Sequence, residues 1–255
     1  MPRRFALAVH VRNLTSFFCA IPTPHLIVSN GGIAPGGFNW PFRGEKHTYW
    51  EGGSRAVGFV HAGAGTGLLP RTGYEYRGLM HVSDWLPTLL NLAGGDAGAV
   101  DGLDGHDVWP ALAANGSSPR TELLHNIDTF GRGGFGNAAL RVGPLKLIVG
   151  SPGEGDHFVP PGCNATVCPA PVPPPASAGC QPDQKNTTMW LFDIEQDPLE
   201  LCNLAQARPA DVARLLARLA EYNRTAVPAH YPPGDPAANP ANRSGAEKNF
   251  WGPWR

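Results

Sequence analysis

The sequence contains no long apolar run, since no stretch approaches the ~18 consecutive apolar residues of a membrane span. Clustered basic residues are also absent, and the formal net charge is -1. Bulk charge therefore indicates no binding of nucleic acid or of an anionic membrane surface. No internal repeat occurs. What is left is a globular protein, or part of one, with room in 255 residues for one large domain or two small ones.

Glycine and proline, by contrast, are abundant, with 32 and 27 residues. These residues punctuate regular structure, so their frequency predicts many loops and strands broken by turns rather than a helical bundle.

Cysteines are few and unevenly placed. Cys163, Cys168, Cys180 and Cys202 form an even set in the C-terminal half, which is consistent with two disulfides in an oxidising compartment and allows three connectivities. Cys19 is left over. No histidine stands at zinc-finger spacing from these cysteines, which argues against a metal knuckle.

Asn-x-Ser/Thr triplets are dense and favour a secretory-pathway protein, whether of the lysosome, the endoplasmic reticulum or the extracellular space. The six acceptors are Asn13, Asn115, Asn164, Asn186, Asn223 and Asn242. The first residues do not make a convincing signal peptide, because His10 and Arg12 interrupt the apolar stretch too early.

Two short strands are predicted in the N-terminal half, at residues 26–28 and 56–60. The first ends at polar residues and glycines, the pattern of a strand in a parallel sheet that delivers ligands at its carboxyl edge. The glycine-rich stretch 63–67 lacks the Lys-Ser/Thr of a phosphate-binding loop, so it is interpreted as a connection.

A helix is predicted from Asp84, as N-cap, to the stop at Gly94. Its apolar face should pack on the sheet; this face is Trp85, Leu86, Leu89, Leu90 and Ala93. His81 and Asp84 could form a catalytic pair, although a helix cap beside an ordinary histidine explains them as well. The acidic loop 101–107 lacks the carboxylate spacing of a calcium loop and is interpreted as a turn.

The C-terminal half predicts a small antiparallel sheet, with a hairpin over residues 140–149 and a further strand at 190–194. Pro209 opens an amphipathic helix that should cover one face of that sheet; its apolar residues are Val212, Leu215, Leu216, Leu219 and Tyr222. The Pro/Ala-rich stretch 169–175 cannot sit inside a sheet, and the tail aromatics at 250, 251 and 254 should dock back onto the domain.

The sharpest candidate site residues are Asn30 and Lys46. Asn30 stands beside two glycines, and Lys46 follows a loop stiffened by Trp40 and Pro41. The amide can give an oxygen to a hard cation, and the ammonium can face an anionic substrate. The alternative is an ordinary Asn-Gly turn and a solvated lysine.

The chain resembles the type I sulfatases, and most closely their arylsulfatase B/I/J subgroup, over residues 30–255. The motifs that carry the resemblance are Asn30-Gly-Gly32, Asn39-Trp-Pro41, Arg43-Gly-x-Lys46, Trp50-Glu-Gly-Gly53, His81-x-Ser-Asp84-Trp-Leu-Pro-Thr88, Leu103-Asp-Gly105-x-Asp-Val-Trp109, Leu123-Leu-His-Asn-Ile-Asp128, Leu191-Phe-Asp-x-x-x-Asp-Pro198 and Trp251-Gly-Pro-Trp254. The resemblance implies an α/β fold: the C-terminal portion of an alkaline-phosphatase-like sulfatase domain at 26–117, then at 118–255 a small α+β domain with an antiparallel sheet and a packed helix. Residues 1–25 show none of the family motifs and are interpreted as an unrelated leader.

The same resemblance implies that Asn30 matches an amide ligand of Ca²⁺, with Ser29 where the family has an aspartate, and that Lys46 contacts the substrate sulfate. The family nucleophile is a cysteine converted to formylglycine within Cys-x-Pro-x-Arg. That motif is missing, because neither Cys19 nor Cys180 has its context.

Three interpretations therefore stay open. The chain is by descent a sulfuric ester hydrolase with a sulfate ester substrate; or it is a catalytically inactive piece of one, from a truncated gene model or an alternative transcript; or it is a glycosylated secretory-pathway binding or structural module. Only the last leaves Asn30 and Lys46 as plain turn and surface residues.

Overall fold

The structure is a computed structural model that describes most of the chain. The described residues are 7–9, 25–28, 31–33, 36–55, 58–61, 67–70, 73–128, 136–159, 162–164, 166–169, 179–181, 186–227 and 235–242. The chain divides into two compact units, Met1–Thr225 and Ala226–Arg255. In the second unit the described residues form two short 3₁₀ turns, Pro236–Ala238 and Pro240–Asn242. All elements below belong to the first unit.

A four-stranded antiparallel sheet dominates the C-terminal half. Its strands, in spatial order, are β4 (Glu122–Asp128), β5 (Asn137–Val142), β6 (Leu145–Val149) and β7 (Met189–Asp193). The predicted hairpin is confirmed as β5 and β6, joined by a two-residue turn in which Gly143 has φ 55°. β7 confirms the predicted strand, whereas β4 was not predicted as one.

One face of this sheet is covered by helix α4 (Pro209–Arg224). Val212, Leu215 and Leu219 are buried against it, as the helical spacing predicts. Leu147 of β6 is one of the strand residues in the same cluster. The predicted small α+β arrangement is therefore confirmed.

The opposite face of the sheet packs on the segment around Trp50. Trp50 is 1% exposed and makes edge-on contacts with Trp190 at 5.7 Å and Phe192 at 5.9 Å between ring centroids. Ile148 of β6 belongs to the same cluster. Because strand side chains alternate between faces, Lys146 points to this side as well.

A second sheet has three strands in the order β1 (Leu7–Val9), β3 (Gly58–His61) and β2 (His25–Val28). The predicted strands 26–28 and 56–60 correspond to β2 and β3. Both pairings are antiparallel, so the expected parallel neighbours of β2 are not found in the described strands. The chain between β2 and β3 brings β3 back beside β2 in the opposite direction.

The predicted helix from Asp84 is confirmed in position, as a 3₁₀ turn Val82–Asp84 followed by α2 (Trp85–Leu92), with Gly94 at φ 83° ending it. Its buried face was predicted wrongly, since Leu86 is 60% and Leu89 48% exposed. Thr88 faces inwards instead. Its hydroxyl donates to the Asp84 carbonyl at 2.6 Å and accepts from the Val108 N–H at 3.0 Å, which fixes the rotation of the helix.

Two short helices were not predicted: α1 (Glu51–Ser54) and α3 (Trp109–Ala114). No helix in the described part of the chain is long and apolar enough to cross a bilayer. Most of the predicted connection 63–67 and of the Pro/Ala-rich stretch 169–175, and all of the tail aromatics, lie outside the described residues.

Candidate functional site around Lys46

Three glycine-rich segments pack backbone to backbone around the loop that carries Lys46. A Cβ on Gly31 would overlap the carbonyl oxygen of Gly52, and a Cβ on Gly32 would lie 2.8 Å from the Cα of Gly37. Side chains are excluded at these contacts, which explains the glycines without reference to turns. The loop 36–46 is consequently held between residues 31–32 and helix α1.

Asn39 clamps this arrangement by its amide group. Its Oδ1 accepts from the Gly32 N–H at 2.7 Å, while its Nδ2 donates to the carbonyls of Gly32 at 3.0 Å and Gly44 at 3.2 Å. The Lys46 N–H donates to the same Gly32 carbonyl at 2.9 Å. Lys46 is thus hydrogen-bonded to the residue two positions after Asn30. Asn30 and Ser29 themselves lie outside the described residues.

Lys46 stands at a sharp turn. Thr48 closes it, because its hydroxyl donates to the Glu45 carbonyl at 2.7 Å and its N–H donates to the same oxygen at 3.1 Å. His47 takes a left-handed φ of 76°. Lys46 is half-buried, and among the described residues no carboxylate pairs with its ammonium.

Arg43, near the end of the loop 36–46, anchors it to the C-terminal half. Its Nε donates to the Gly155 carbonyl at 2.8 Å, its Nη1 donates to the Glu200 carbonyl at 3.2 Å, and its guanidinium lies 3.7 Å from the centroid of a Trp50 ring. The Gly44 N–H adds a hydrogen bond of 2.9 Å to the backbone carbonyl of Asp156.

A buried ion cluster lies directly beneath α1. The ammonium of Lys146, which is 0% exposed, is 2.9 Å from Glu51 Oε1 and 2.9 Å from Glu200 Oε1. Arg55 Nε lies 2.8 Å from the other oxygen of Glu51. Sequence reasoning missed this cluster, although one signal was present: a lysine between the apolar residues of β6.

The two carboxylates of the cluster differ in charge preference. Burial alone would raise the pKa of Glu51, but Lys146 and Arg55 outweigh burial and hold that pKa far below its usual range. Burial also raises the pKa of Glu200 to about 7, because the charge of Lys146 offsets the effect of burial only in part and the charge of Glu51 adds repulsion. Burial opposes the charge of Lys146, yet Glu200 and Glu51 raise its pKa. Glu51 and Lys146 therefore keep their charges, and Glu200 is the group closest to protonation at neutral pH.

His81 and Asp84 do not form a catalytic pair. The His81 backbone N–H, not the imidazole, donates to Asp84 Oδ2 at 2.7 Å, while Nδ1 of the ring lies 2.8 Å from Ser83 Oγ. Asp84 is 0% exposed, and Arg120 grips both of its oxygens, with Nε at 2.8 Å from Oδ2 and Nη2 at 2.5 Å from Oδ1. The His106 N–H donates to Oδ1 at 2.8 Å. Asp84 is a structural anchor rather than an acid or base.

A wide cleft of about 1810 Å³ lies beside the Lys46 loop, with His47 on its wall but not Lys46. His125 lines it, and the Nε2 atom of this residue is out of contact with solvent and has no hydrogen-bond partner among the described residues. Burial first, and then the nearby charge of Lys146, lower the pKa of His125 to about 3, and Arg141 acts in the same direction. His125 is therefore neutral at pH 7.

The predicted cysteine pairs are found as Cys163–Cys168 and Cys180–Cys202. This confirms two disulfides and selects one of the three connectivities.

The predicted glycosylation acceptors are placed at different depths. Asn115, Asn164 and Asn186 are exposed, whereas Asn223 is half-buried in the last turn of α4. The side chain of Asn242, like Asn13, lies outside the described residues.

Arylsulfatase J of Mus musculus is 39% identical over 249 residues, an alignment that covers 88% of this chain and 38% of the mouse protein. The solved structure of Ps i-CgsB in complex with k-i-k-neocarrahexaose superposes with a TM-score of 0.54 at 19% identity, covering 78% of this chain and 36% of the other. No family model matches.

A third similar structure is the protein BT33336S-sulf, from work on the metabolism of multiple glycosaminoglycans by Bacteroides thetaiotaomicron. Its TM-score is 0.50 at 19% identity, with 80% of this chain and 39% of the other covered. At such identities the solved structures show the fold alone, which is the predicted α/β class.

The chain belongs to the sulfatase family and corresponds to the C-terminal portion of its members. It spans about 38% of the length of the curated relative.

Proposed function

We propose that this chain supplies one side of a sulfuric ester hydrolase site, with Lys46 as the residue that contacts the substrate sulfate and Asn30 as one ligand of Ca²⁺. The proposal keeps the predicted division into a catalytic-domain part at 26–117 and a C-terminal domain at 118–255. The hydrogen bond from the Lys46 N–H to the Gly32 carbonyl supports it, because that contact fixes the Lys46 backbone to a residue only two positions along the chain from Asn30.

The chemistry of Lys46 suits an anion. An ammonium is a compact point charge with three donors, and a sulfate ester offers three oxygens that carry its negative charge. The loop is held from three sides, by Asn39, by Arg43 and by α1, so the ammonium starts from a fixed backbone position. Such preorganisation makes charge stabilisation effective at a site from which water is excluded.

The calcium assignment rests on the family. Ca²⁺ takes six to eight oxygen ligands, and no group of three His, Cys, Asp or Glu side chains comes together within the described ranges. The described donors alone do not fit the ion, so no step of the proposal runs through it. Asn30 would contribute a single oxygen, and the remaining ligands would have to come from residues not described here or from outside the 255-residue sequence.

The nucleophile must also come from elsewhere, because the 255 residues contain no Cys-x-Pro-x-Arg. We therefore expect the purified chain to bind a sulfate ester weakly and not to hydrolyse it. The same absence favours a second candidate function, a non-catalytic glycosylated module.

A secretory-pathway setting is part of the proposal. Two disulfides and three exposed acceptor triplets, at Asn115, Asn164 and Asn186, support it. Peptide mapping of protein secreted by cultured cells, before and after removal of N-linked glycans, would show which acceptors are used. Unmodified Asn115, Asn164 and Asn186 would contradict this setting.

The test of the main proposal is anion binding. The chain would be titrated with 4-nitrophenyl sulfate by calorimetry, alongside Lys46→Ala and the control Arg214→Ala, which removes a half-exposed cation of α4. We expect Lys46→Ala to weaken binding about tenfold, since an ion-paired contact is worth on the order of 1.4 kcal/mol, and the control to leave it unchanged.

Equal binding by the chain and its Lys46→Ala variant would reject the sulfate-contact role and favour the non-catalytic module. Hydrolysis of 4-nitrophenyl sulfate above buffer, lost in Lys46→Ala, would show instead that the chain is a complete enzyme. A rise in melting temperature on adding Ca²⁺, lost in Asn30→Ala, would support the ligand assignment.

A further inference from the structure

Lys146 is an unusual residue for its position. It is the second of the five residues of β6 and has no exposed surface, and its strand neighbours Leu145, Leu147 and Ile148 are buried too. Taking an ammonium out of water costs several kcal/mol unless its partners are placed well. The strand would tolerate an apolar residue here, so the lysine calls for an explanation beyond the core of the sheet.

The partners of Lys146 belong to the side of the molecule that carries Lys46. Glu51 opens α1, and the N–H of the next residue, Gly52, donates to the Arg43 carbonyl at 2.6 Å. A Cβ on Gly52 would overlap the carbonyl oxygens of Arg43 and Gly44. Helix α1 therefore lies directly on the backbone that leads to Lys46.

Glu200 holds the same two elements from the other direction. Its Oε2 accepts from the Glu51 N–H at 2.6 Å, while its own carbonyl accepts from Arg43 Nη1 at 3.2 Å. Glu200 has a φ of 56°, uncommon for a residue with a side chain. The hydrogen bonds of the cluster and of Arg43 offset the energetic cost of this backbone conformation.

We infer that Lys146 is a positioning residue for Lys46: its ion pairs with Glu51 and Glu200 hold α1, and α1 holds the loop 43–46. The inference rests on the proposed sulfate-contact role of Lys46. It extends that role by assigning a residue of the antiparallel sheet, 100 positions along the chain, to the preparation of the anion site.

The test uses the whole chain and needs no ligand for its main readout. Amide hydrogen exchange would be followed in peptides covering residues 43–53 and, as an internal reference, β5 and β6. The variants are Lys146→Met, the conservative Lys146→Arg, and Lys146→Met/Glu200→Gln, which leaves Glu51 paired with Arg55. Glu122→Gln is the control, because it disturbs a partly exposed ion pair with Arg218 of α4, away from the Lys146 cluster.

We expect exchange in residues 43–53 to rise about tenfold in Lys146→Met and in the double variant, while β5 and β6 stay protected. The Lys46 side-chain NMR signal, assigned among only four lysines with Lys46→Ala, should shift in both variants and return towards its original position in Lys146→Arg. The control should change neither readout. If Lys146→Met does not fold, the double variant decides.

If Lys146→Met or the double variant folds and shows the same exchange in residues 43–53 and the same Lys46 signal as the parent chain, the inference is overturned. Exchange that rises equally in 43–53 and in the sheet would also overturn it, because the lysine would then stabilise the core only. The proposed function is tested apart from this, by 4-nitrophenyl sulfate titration of Lys46→Ala. If that titration shows no loss but exchange responds as expected, the sulfate contact fails and the ordering of the loop by Lys146 stands.

Discussion

The Lys146 ammonium of β6 lies 2.9 Å from Oε1 of Glu51 in α1, and the exposed fractions of the two side chains are 0% and 4%. This contact joins the antiparallel sheet to the loop of Lys46. Because both charges are out of water, removing one takes away part of the compensation of the other: Glu51 would keep only Arg55, and Lys146 would keep only Glu200.

Lys146→Met should lower the free energy of unfolding by about 3–5 kcal/mol, the usual cost of breaking a buried ion pair. The double variant Lys146→Met/Glu200→Gln should recover part of this loss, because it removes one uncompensated carboxylate. Urea unfolding, monitored by circular dichroism, measures the free energy of unfolding of both variants. Arg214→Gln breaks an exposed pair and should cost less than about 1 kcal/mol; equal losses in the exposed and buried variants would contradict the buried cluster.

Asp84→Asn should be similarly costly, by about 3 kcal/mol or more, because it leaves the Arg120 guanidinium facing an amide at a buried site. Asp96→Asn serves as the control, since Asp96 is exposed and its side chain accepts from the Gly98 N–H without an ion pair among the described residues. Thermal unfolding of the two variants compares them. A loss of activity or anion binding in Asp84→Asn without any loss of stability would instead revive the catalytic interpretation of Asp84.

Stability should depend on pH through His125. Its pKa is lowered by burial to about 3 in the folded chain, against about 6.5 when unfolded. The unfolded chain therefore binds the extra proton first as pH falls, so the stability contributed by neutral His125 is complete above about pH 6.5 and is lost between pH 6.5 and 3.

The loss should approach about 1.4 kcal/mol per pH unit within that window. Glu200 acts in the opposite sense: its pKa is raised to about 7, so its contribution falls as pH rises from about 4.5 to 7. Urea unfolding should therefore be measured from pH 7 to 5 for the chain and for His125→Gln. The difference between their pH dependences of the free energy of unfolding isolates the contribution of the histidine. No change in slope on substitution would contradict a buried neutral His125.

The exposed face of α2 predicts that Leu86→Gln and Leu89→Gln change the free energy of unfolding by less than about 0.5 kcal/mol. Leu112→Ala, at a 0% exposed position, should cost about 2–5 kcal/mol. Chemical unfolding and sedimentation of the three variants check this. A large loss of stability in Leu86→Gln, or a change of oligomeric state, would show that another surface covers α2.

Gly52→Ala should displace α1 from the Lys46 loop, because the added Cβ would overlap two backbone carbonyls that cannot move away cheaply. We expect more than about 2 kcal/mol of destabilisation and faster exchange of the Lys46 amide. Gly36→Ala is matched to it within the same glycine-rich region, since its Cβ would be 3.6 Å from the nearest atom and should be tolerated.

The elements that the sequence predicts correctly share strong local signals. α4 begins at a proline and repeats its apolar residues with helical spacing, and the β5–β6 hairpin turns at Gly143. In both, the pattern that forms the element also selects its buried face. β4 escaped prediction because four of its seven residues are polar or charged and its burial is even along both faces.

Local pattern was not sufficient for α2. Its leucines predict burial on a sheet, but Thr88 and Asp84 find hydrogen-bond partners at residues 106–108 and in Arg120, and these contacts fix which side of the helix faces inwards. The rotation depends on residues 20 to 36 positions away, which no window along the chain contains.

The sequence by itself determined the family, the candidate residues Asn30 and Lys46, the cysteines available for two disulfides and the helix–sheet pairing of the C-terminal half, because each depends on residue identity and short-range spacing. The tertiary structure alone decided the disulfide connectivity, the rotation of α2, and the link from Lys146 through Glu51 to the loop of Lys46. Those depend on which distant groups can satisfy a buried charge or polar atom, and that is settled only when the chain folds.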